Sequence, residues 1–498
     1  MMRLSNVTGV LSVCLAVLLA AAGAAAEPRA RPPEAAPAAK ARPGPAAKAA
    51  PAPNAPACQP DRLDAAALKS ALIEHDAARQ AFRNKFQNGR YGVPGWLRSD
   101  LMRQSPAEIL ARVAEAAVRI SGPDTGVLVY ASGLDASGGP AVCVWLVGAR
   151  GLLAAAHSGY PVAGASVVAQ QALNVTVRAL SRSPVRKGTR RRTPTPPPPV
   201  TMTIDELSRI AMPPPIEAAI LSGGIDRLLV LPVKDLGVVP WPALKLGGGQ
   251  VVDHMPVVVL ADVDWVLEPE PVEIRRGADL ALLVGDPDLS RDGQWDHPRL
   301  PGAREEVMAL TRRYAKGHRP LVDKSASLAG FKALLRHPEW ASLGLIYFAT
   351  HGISDAENPM DGSFLALSGG HLFGRDIKAL TLTSRPLVVM SACQTGLGKV
   401  FDSGVFGLAR AWWQAGARQV VMSLWNVDDE ATKNLMVDFF NELEAQRATP
   451  AGEQREEALR NAMLKARARD ADPALWAGFT VFGLPTPQLR LAGRMRGR

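Results

Sequence analysis

Two residues can do chemistry together in this chain, His351 and Cys393. Each stands at the end of a short, continuously apolar run, LGLIYFATHG in one case and PLVVMSACQTGLG in the other. An imidazole and a thiol are the smallest set for nucleophilic catalysis, a base and a nucleophile it can activate. Either residue alone has a plain reading. A histidine at a strand end is commonly a structural hydrogen-bonder, and a buried cysteine is commonly a small hydrophobe. The conjunction is what points to catalysis. Glycines follow both residues (Gly352; Gly396 and Gly398), and such turns let backbone N–H groups approach a substrate. The N–H groups of Gly352 and Cys393 are the candidates to hold the oxyanion of a tetrahedral intermediate.

Other polar residues are secondary. Asp428 and Asp429 follow the run ARQVVMSLW, and a carboxylate there would select Arg or Lys at a cleaved position. The competing reading is a helix N-cap with a dipole-favoured neighbour. If the acidic reading holds, the basic residues 186–192 are a self-cleavage site. No third triad member is legible, and Asp355 reads as a loop carboxylate. Asp286 and Asp288 in GDPDLS read as a loop and helix cap. The histidines and cysteines lack zinc-like spacing, so no metal is expected. GGGQ at 247–250 lacks the Lys-Ser/Thr of a phosphate loop, so no nucleotide cofactor is expected.

Apolar runs of this length, rich in β-branched and aromatic residues, read as strands buried on both faces. From residue 203 onward strands and helices alternate. Strands are expected at DRLLVLP, VVVL, LALLVG, LGLIYFAT, PLVVMSAC, ARQVVMSLW and GFTVFG. Helices are expected at GAREEVMALTRRY, SLAGFKALLRH, GVFGLARAWWQAG, DDEATKNLMVDFFNEL and REEALRNAMLKAR. Alternation with short loops predicts an α/β fold, a mostly parallel sheet with helices on both faces. Chemistry in such sheets sits beyond the carboxyl ends of the strands. Trp412, Trp413 and Trp476 read as packing. A smaller region precedes this one, helical over 58–122, with Ser105 as N-cap and Pro106 opening the second helix. A β-meander follows over 123–180 (GVLVYASGL, AVCVWLVG, GLLAAAHSG). No repeat of 33 to 47 residues is found.

The 498 residues carry a formal charge of +10, but its distribution argues against nucleic acid. Six positive charges lie in a Pro-rich linker over 181–202 (Arg182, Arg186, Lys187, Arg190, Arg191, Arg192). Four more (Arg490, Arg494, Arg496, Arg498) lie in the tail over 487–498, leaving the rest close to neutral. That pattern suits a polyanion or membrane-surface contact, not sequence-specific readout. Residues 1–26 read as a secretory signal peptide: Arg3, an apolar core over 10–19, then Ala24-Ala25-Ala26. The alternative is an uncleaved anchor. No other stretch is apolar and long enough to span a bilayer. Residues 27–57, almost all Ala, Pro, Lys and Arg, read as a disordered spacer. A periplasmic or secreted protein is therefore expected. It would keep Cys58, Cys143 and Cys393; either Cys58 pairs with Cys143 or no disulfide forms.

The last histidine is His371, so none follows Cys393. That order excludes papain-like enzymes for this thiol and is the order of caspase-like peptidases. Residues 203–486 resemble a CHAT domain, a caspase-like domain often found behind tetratricopeptide repeats. The resemblance rests on LLVLPVKDLGVVPWPAL, LLVGDPDL, LPGAREEVMAL, YFATHGI, VVMSACQTGLG, GLARAWWQAGARQVVMSLWNVDDEAT and WAGFTVFG. It implies His351 as general base or acid and Cys393 as nucleophile of an exported cysteine endopeptidase. Its partners would be a protein or peptide substrate and a regulatory protein. Two rivals remain: a dormant, non-enzymatic binding module of the cell envelope, and a Cys-dependent acyltransferase or transpeptidase.

Overall fold

The computed structural model describes residues 58–86, 101–175, 184–188, 201–266, 280–314, 319–338, 343–401, 404–447, 449 and 452–487. The expected signal peptide, the spacer and nearly all of the basic tail lie outside the described residues, as do Arg182 and Arg190 to Arg192 of the linker.

Among the described residues, the first helices are α1 (Ala65–Phe86) and α2 (Pro106–Ser121). Ser105 caps α2 as expected. Its hydroxyl accepts the Glu108 N–H at 3.2 Å, and the Glu108 carboxylate accepts the Ser105 N–H at 2.6 Å. Such a reciprocal cap satisfies two orphan donors. The meander follows as β1 (Thr125–Leu134), β2 (Pro140–Gly148) and β3 (Gly151–Gly159). A disulfide joins Cys58, ahead of α1, to Cys143 on β2.

A short strand β4 (Val185–Arg186) precedes the larger region, which contributes β5 (Arg227–Leu231), β6 (Val257–Val259), β7 (Ala281–Pro287) and β8 (Trp295–Asp296). Then come α3 (Pro301–Tyr314), β9 (Leu321–Asp323), α4 (Leu328–Leu335), β10 (Leu345–Ala349), β11 (Gly352–Ile353), β12 (Phe364–Leu367), β13 (Gly370–Phe373) and β14 (Leu387–Ser391). The chain ends through α5 (Leu408–Ala415), β15 (Gln419–Ser423), α6 (Asp429–Arg447), α7 (Arg455–Arg469) and β16 (Phe479–Gly483).

Eleven of these strands form one sheet, in the order β9-β7-β10-β14-β15-β16-β6-β5-β1-β2-β3. The meander is thus the far edge of the main sheet, with β1 parallel to β5. The sheet is mostly parallel, with antiparallel pairs at β15/β16 and within the meander. Two long helices, α6 and α7, lie between β15 and β16. An even number of antiparallel helices brings the chain back pointing the other way, which reverses β16.

Helices cover both faces at the centre. Successive strand residues point to opposite sides. Tyr347 of β10 faces α3 and α6, its hydroxyl on Glu306 and its ring 5.6 Å from Phe440. Phe348 faces the other way, its ring 5.5 Å from Phe331 of α4 and 5.8 Å from Trp412 of α5. Double-sided burial is why the strand reads as an unbroken apolar run. Trp412 and Trp476 are buried, as packing residues should be.

One expected helix is shorter than its pattern. GVFG, read as the start of α5, is instead a strand (Gly404–Gly407) paired antiparallel to Gly398–Phe401. The pairing needs glycine, since a Cβ on Gly398 would stand 1.9 Å from the Phe406 carbonyl oxygen.

Candidate active site

β10 and β14 run parallel in a register that sets Ala349 opposite Ser391. His351 and Cys393 each lie two residues further on, past the same edge. Their backbones are fixed by different neighbours. The Thr350 hydroxyl donates to the Ala366 carbonyl at 2.7 Å, and the Ala366 N–H donates to the His351 carbonyl at 2.9 Å. His351 is thus clamped between the main sheet and a small sheet of β11, β12 and β13.

The turn carrying Cys393 is fastened to the end of β15. The Thr395 N–H donates to the Ser423 hydroxyl oxygen at 3.2 Å, and the Ser423 N–H donates to the Thr395 hydroxyl oxygen at 3.0 Å. The Gly396 N–H donates to the Ser423 carbonyl at 2.8 Å. Gln394, next to the thiol, sits in the left-handed region at φ 55°. A non-glycine residue there is uncommon and needs such over-determination. The two turns touch: a Cβ on Gly352 would stand 2.6 Å from the Cys393 carbonyl oxygen. Only a glycine lets them approach this closely. Cys393 lies outside the disulfide, and its residue is 8% exposed.

His351 is buried, and its Nε2 lies 2.6 Å from the Pro298 carbonyl oxygen. A carbonyl only accepts, so Nε2 carries the proton and Nδ1 offers a lone pair. Nδ1 is buried and has no hydrogen-bond partner among the described residues. Burial pushes this imidazole down to about 4; the Pro298 bond opposes the shift and neighbouring His297 adds to it. The ring is therefore neutral at pH 7, and its Nδ1 presents a lone pair. The Pro298 carbonyl orients the His351 ring, a contact the sequence did not reveal because it is made by a main-chain atom.

His351 also reaches a cleft of about 630 Å³ beyond β7, β9 and β10, lined in part by Asp286, Asp288, His297, Asp323 and Lys187. Cys393 is not in that lining. The linker enters here: β4 pairs antiparallel with β8, Trp295 opposite Arg186. The Lys187 N–H donates to the Gln294 carbonyl at 2.7 Å, and its Nζ to the Asp292 carbonyl at 2.6 Å.

The remaining sequence candidates each hold local hydrogen bonds. Asp428 accepts the N–H groups of Glu430 and Ala431 at 3.1 and 3.0 Å, as an N-cap of α6 would. Asp429 accepts the Gly302 N–H at 2.8 Å, joining α6 to the start of α3. Asp355 accepts the N–H groups of Glu357 and Asn358, both at 2.9 Å, and is a loop carboxylate. Asp288 accepts the Ser290 N–H and hydroxyl, closing a loop, while Asp286 pairs with Arg304 at 2.8 Å. One cluster beside His351 was not expected: Asp292, His297 and His371, brought together from three segments.

The CHAT domain family profile matches residues 201–484. Tetratricopeptide repeat protein 28 of Homo sapiens is 25% identical over 253 residues, covering 44% of this chain and 10% of its own length. Its Mus musculus counterpart is 32% identical over 112 residues, covering 22% of this chain and 4% of its own. The chain thus spans a tenth or less of these relatives. The Arg-specific cysteine proteinase gingipain R superposes with TM-score 0.39 and 14% identity, over 58% of this chain and 68% of that one. The Saccharomyces cerevisiae separase–securin complex gives TM-score 0.46 and 11% identity, over 85% of this chain and 34% of that one. Both scores are low, so the fold assignment rests on strand order and the family match. By that match, which takes in more than half of its residues, the chain belongs to the CHAT domain family, with its caspase-like α/β fold.

Proposed function

We propose that this chain is a cysteine endopeptidase working through His351 and Cys393. The observation that carries the reading is the shared register of the two strand ends, with a neutral imidazole whose Nδ1 lone pair is unclaimed. In the proposed reaction His351 Nδ1 takes the Cys393 thiol proton as sulfur attacks the scissile carbonyl. The imidazolium returns that proton to the leaving amine as the C–N bond breaks. Water then hydrolyses the thioester and restores the thiol. The N–H groups of Gly352 and Cys393 are the proposed oxyanion donors. Asp428 and Asp429 are the proposed source of a preference for Arg or Lys, which would make residues 186–192 a self-cleavage site.

Export belongs to the same proposal, with a periplasmic or secreted location. The sequence of residues 1–26 motivates it, and the Cys58–Cys143 disulfide supports it, since disulfides persist in oxidising compartments. Among the described residues, no helix is long and apolar enough to cross a membrane.

A second reading, a dormant binding module, draws on one observation. The cleft that His351 lines excludes Cys393, and linker strand β4 is paired beside it. Peptide-library cleavage by the protein, run beside Cys393→Ala, separates the two. Cleavage lost in the variant supports the enzyme; no cleavage by either supports the module.

A further inference from the structure

Asp292, His297 and His371 offer one carboxylate oxygen and two imidazole nitrogens, all within 4.8 Å of one another. The contacts converge on a single point. Asp292 Oδ2 lies 2.7 Å from His297 Nε2 and 2.9 Å from His371 Nε2. The three side chains are 9%, 2% and 11% exposed respectively, so the cluster is largely withdrawn from water. Each residue is held from behind. Asp292 Oδ1 accepts the N–H groups of Gln294 and Trp295 at 2.8 and 3.0 Å, leaving Oδ2 to face the imidazoles. His371 is stacked on Phe364 with ring centroids 4.0 Å apart and planes 12° apart. The Nδ1 of His297 is buried with no hydrogen-bond partner among the described residues, so Nε2 is its ring's polar anchor.

We propose that Asp292, His297 and His371 form a binding site for a divalent transition metal ion of the zinc class. Two imidazole nitrogens and one carboxylate are a ligand set such ions favour. Tetrahedral bonds of 2.0–2.2 Å hold ligand atoms about 3.3 Å apart, so these atoms need to spread by roughly half an ångström. Ligation through Nε2 shifts each ring's proton from Nε2 to its own Nδ1, so both imidazoles bind as neutral ligands and the dication takes the place of the two N–H donors. His297 also lines the cleft, the side from which a fourth ligand would approach. The spacing differs from ordinary zinc motifs because the ligands come from the loop before β8, the residue after it, and β13. The sequence expectation of no metal rested on that missing spacing.

The ring centroids of His297 and His351 are 5.2 Å apart, so the ion would sit beside the proposed catalytic base. The binding test does not depend on catalysis. The chelator-stripped protein is dialysed against Zn²⁺ or Co²⁺, and bound metal is counted by elemental analysis, with Co²⁺ absorption reporting coordination. One equivalent is expected, with the visible bands of a four-coordinate Co²⁺ site. Asp292→Asn and His371→Gln should each weaken binding by about a hundredfold, the upper end of what even an outer-shell partner costs. Cys393→Ala should bind as the parent does, whether or not the peptidase reading survives. Absence of stoichiometric metal in the parent overturns the proposal, as does binding that survives both ligand variants or disappears in Cys393→Ala.

Discussion

Glu306 lies on α3 beneath the two strands that end at His351 and Cys393, fully buried, with its carboxylate on the Tyr347 hydroxyl. Burial raises its carboxyl to about 7, opposed chiefly by the hydrogen bond from Tyr347; Asp429 adds to the rise and Lys433 opposes it. In the unfolded chain the group titrates near 4.5. Its contribution to stability is fully present below that value, because both states are then protonated. As pH rises the unfolded state loses its proton first, and stability falls until the folded group ionises near 7. At about 1.4 kcal/mol per unit, the loss between pH 5 and pH 8 comes to roughly 2–3 kcal/mol. Glu306→Gln keeps the shape and hydrogen-bonding capacity and cannot ionise. Urea unfolding of both proteins at pH 5 and pH 8 isolates the term, since every other titration is common to the pair. The variant should gain about 2–3 kcal/mol on the parent between the two pH values. An equal pH dependence in both proteins would refute the reasoning and mean the carboxyl is not held protonated.

Three further outcomes follow from the packing. Gly352→Ala drives a methyl into the Cys393 carbonyl and should cost about 1–3 kcal/mol by overpacking; thermal denaturation measures it. It should also slow alkylation of Cys393, followed by intact mass. Trp412→Ala removes a buried ring that packs on Phe331 and Phe348 and should cost about 3–5 kcal/mol in urea unfolding. Replacing both Cys58 and Cys143 by Ser opens a cross-link spanning 85 residues and should cost about 2–5 kcal/mol; non-reducing peptide mapping of the parent should recover the linked pair.

Much of the fold was legible because its central strands are buried on both faces. That environment leaves runs such as LIYFA and LVVMS with no polar alternation to misread. Helix α2 announced its own start through Ser105 and Pro106. The direction of β16 was not legible, because it depends on α6 and α7 packing as an antiparallel pair. Nor was the strand at Gly404–Gly407, whose residues continue the apolar pattern of α5 without a break. At the site, His351 and Cys393 stood out through their shared position past strand ends. The Pro298 carbonyl left no trace, since every residue type carries one. Asp292, His297 and His371 are separated by 5 and 74 residues, so only the folded chain brings them together.

The central claim is that His351 activates Cys393. A peptide-based electrophile incubated with the protein, read by intact mass and tryptic mapping, tests it most directly. The account predicts one adduct, on Cys393, formed at least about a hundredfold faster than in His351→Ala, the lower end of what a positioned general base contributes. Equal labelling rates in the two proteins would contradict it, as would no adduct under conditions where the unfolded chain is readily modified.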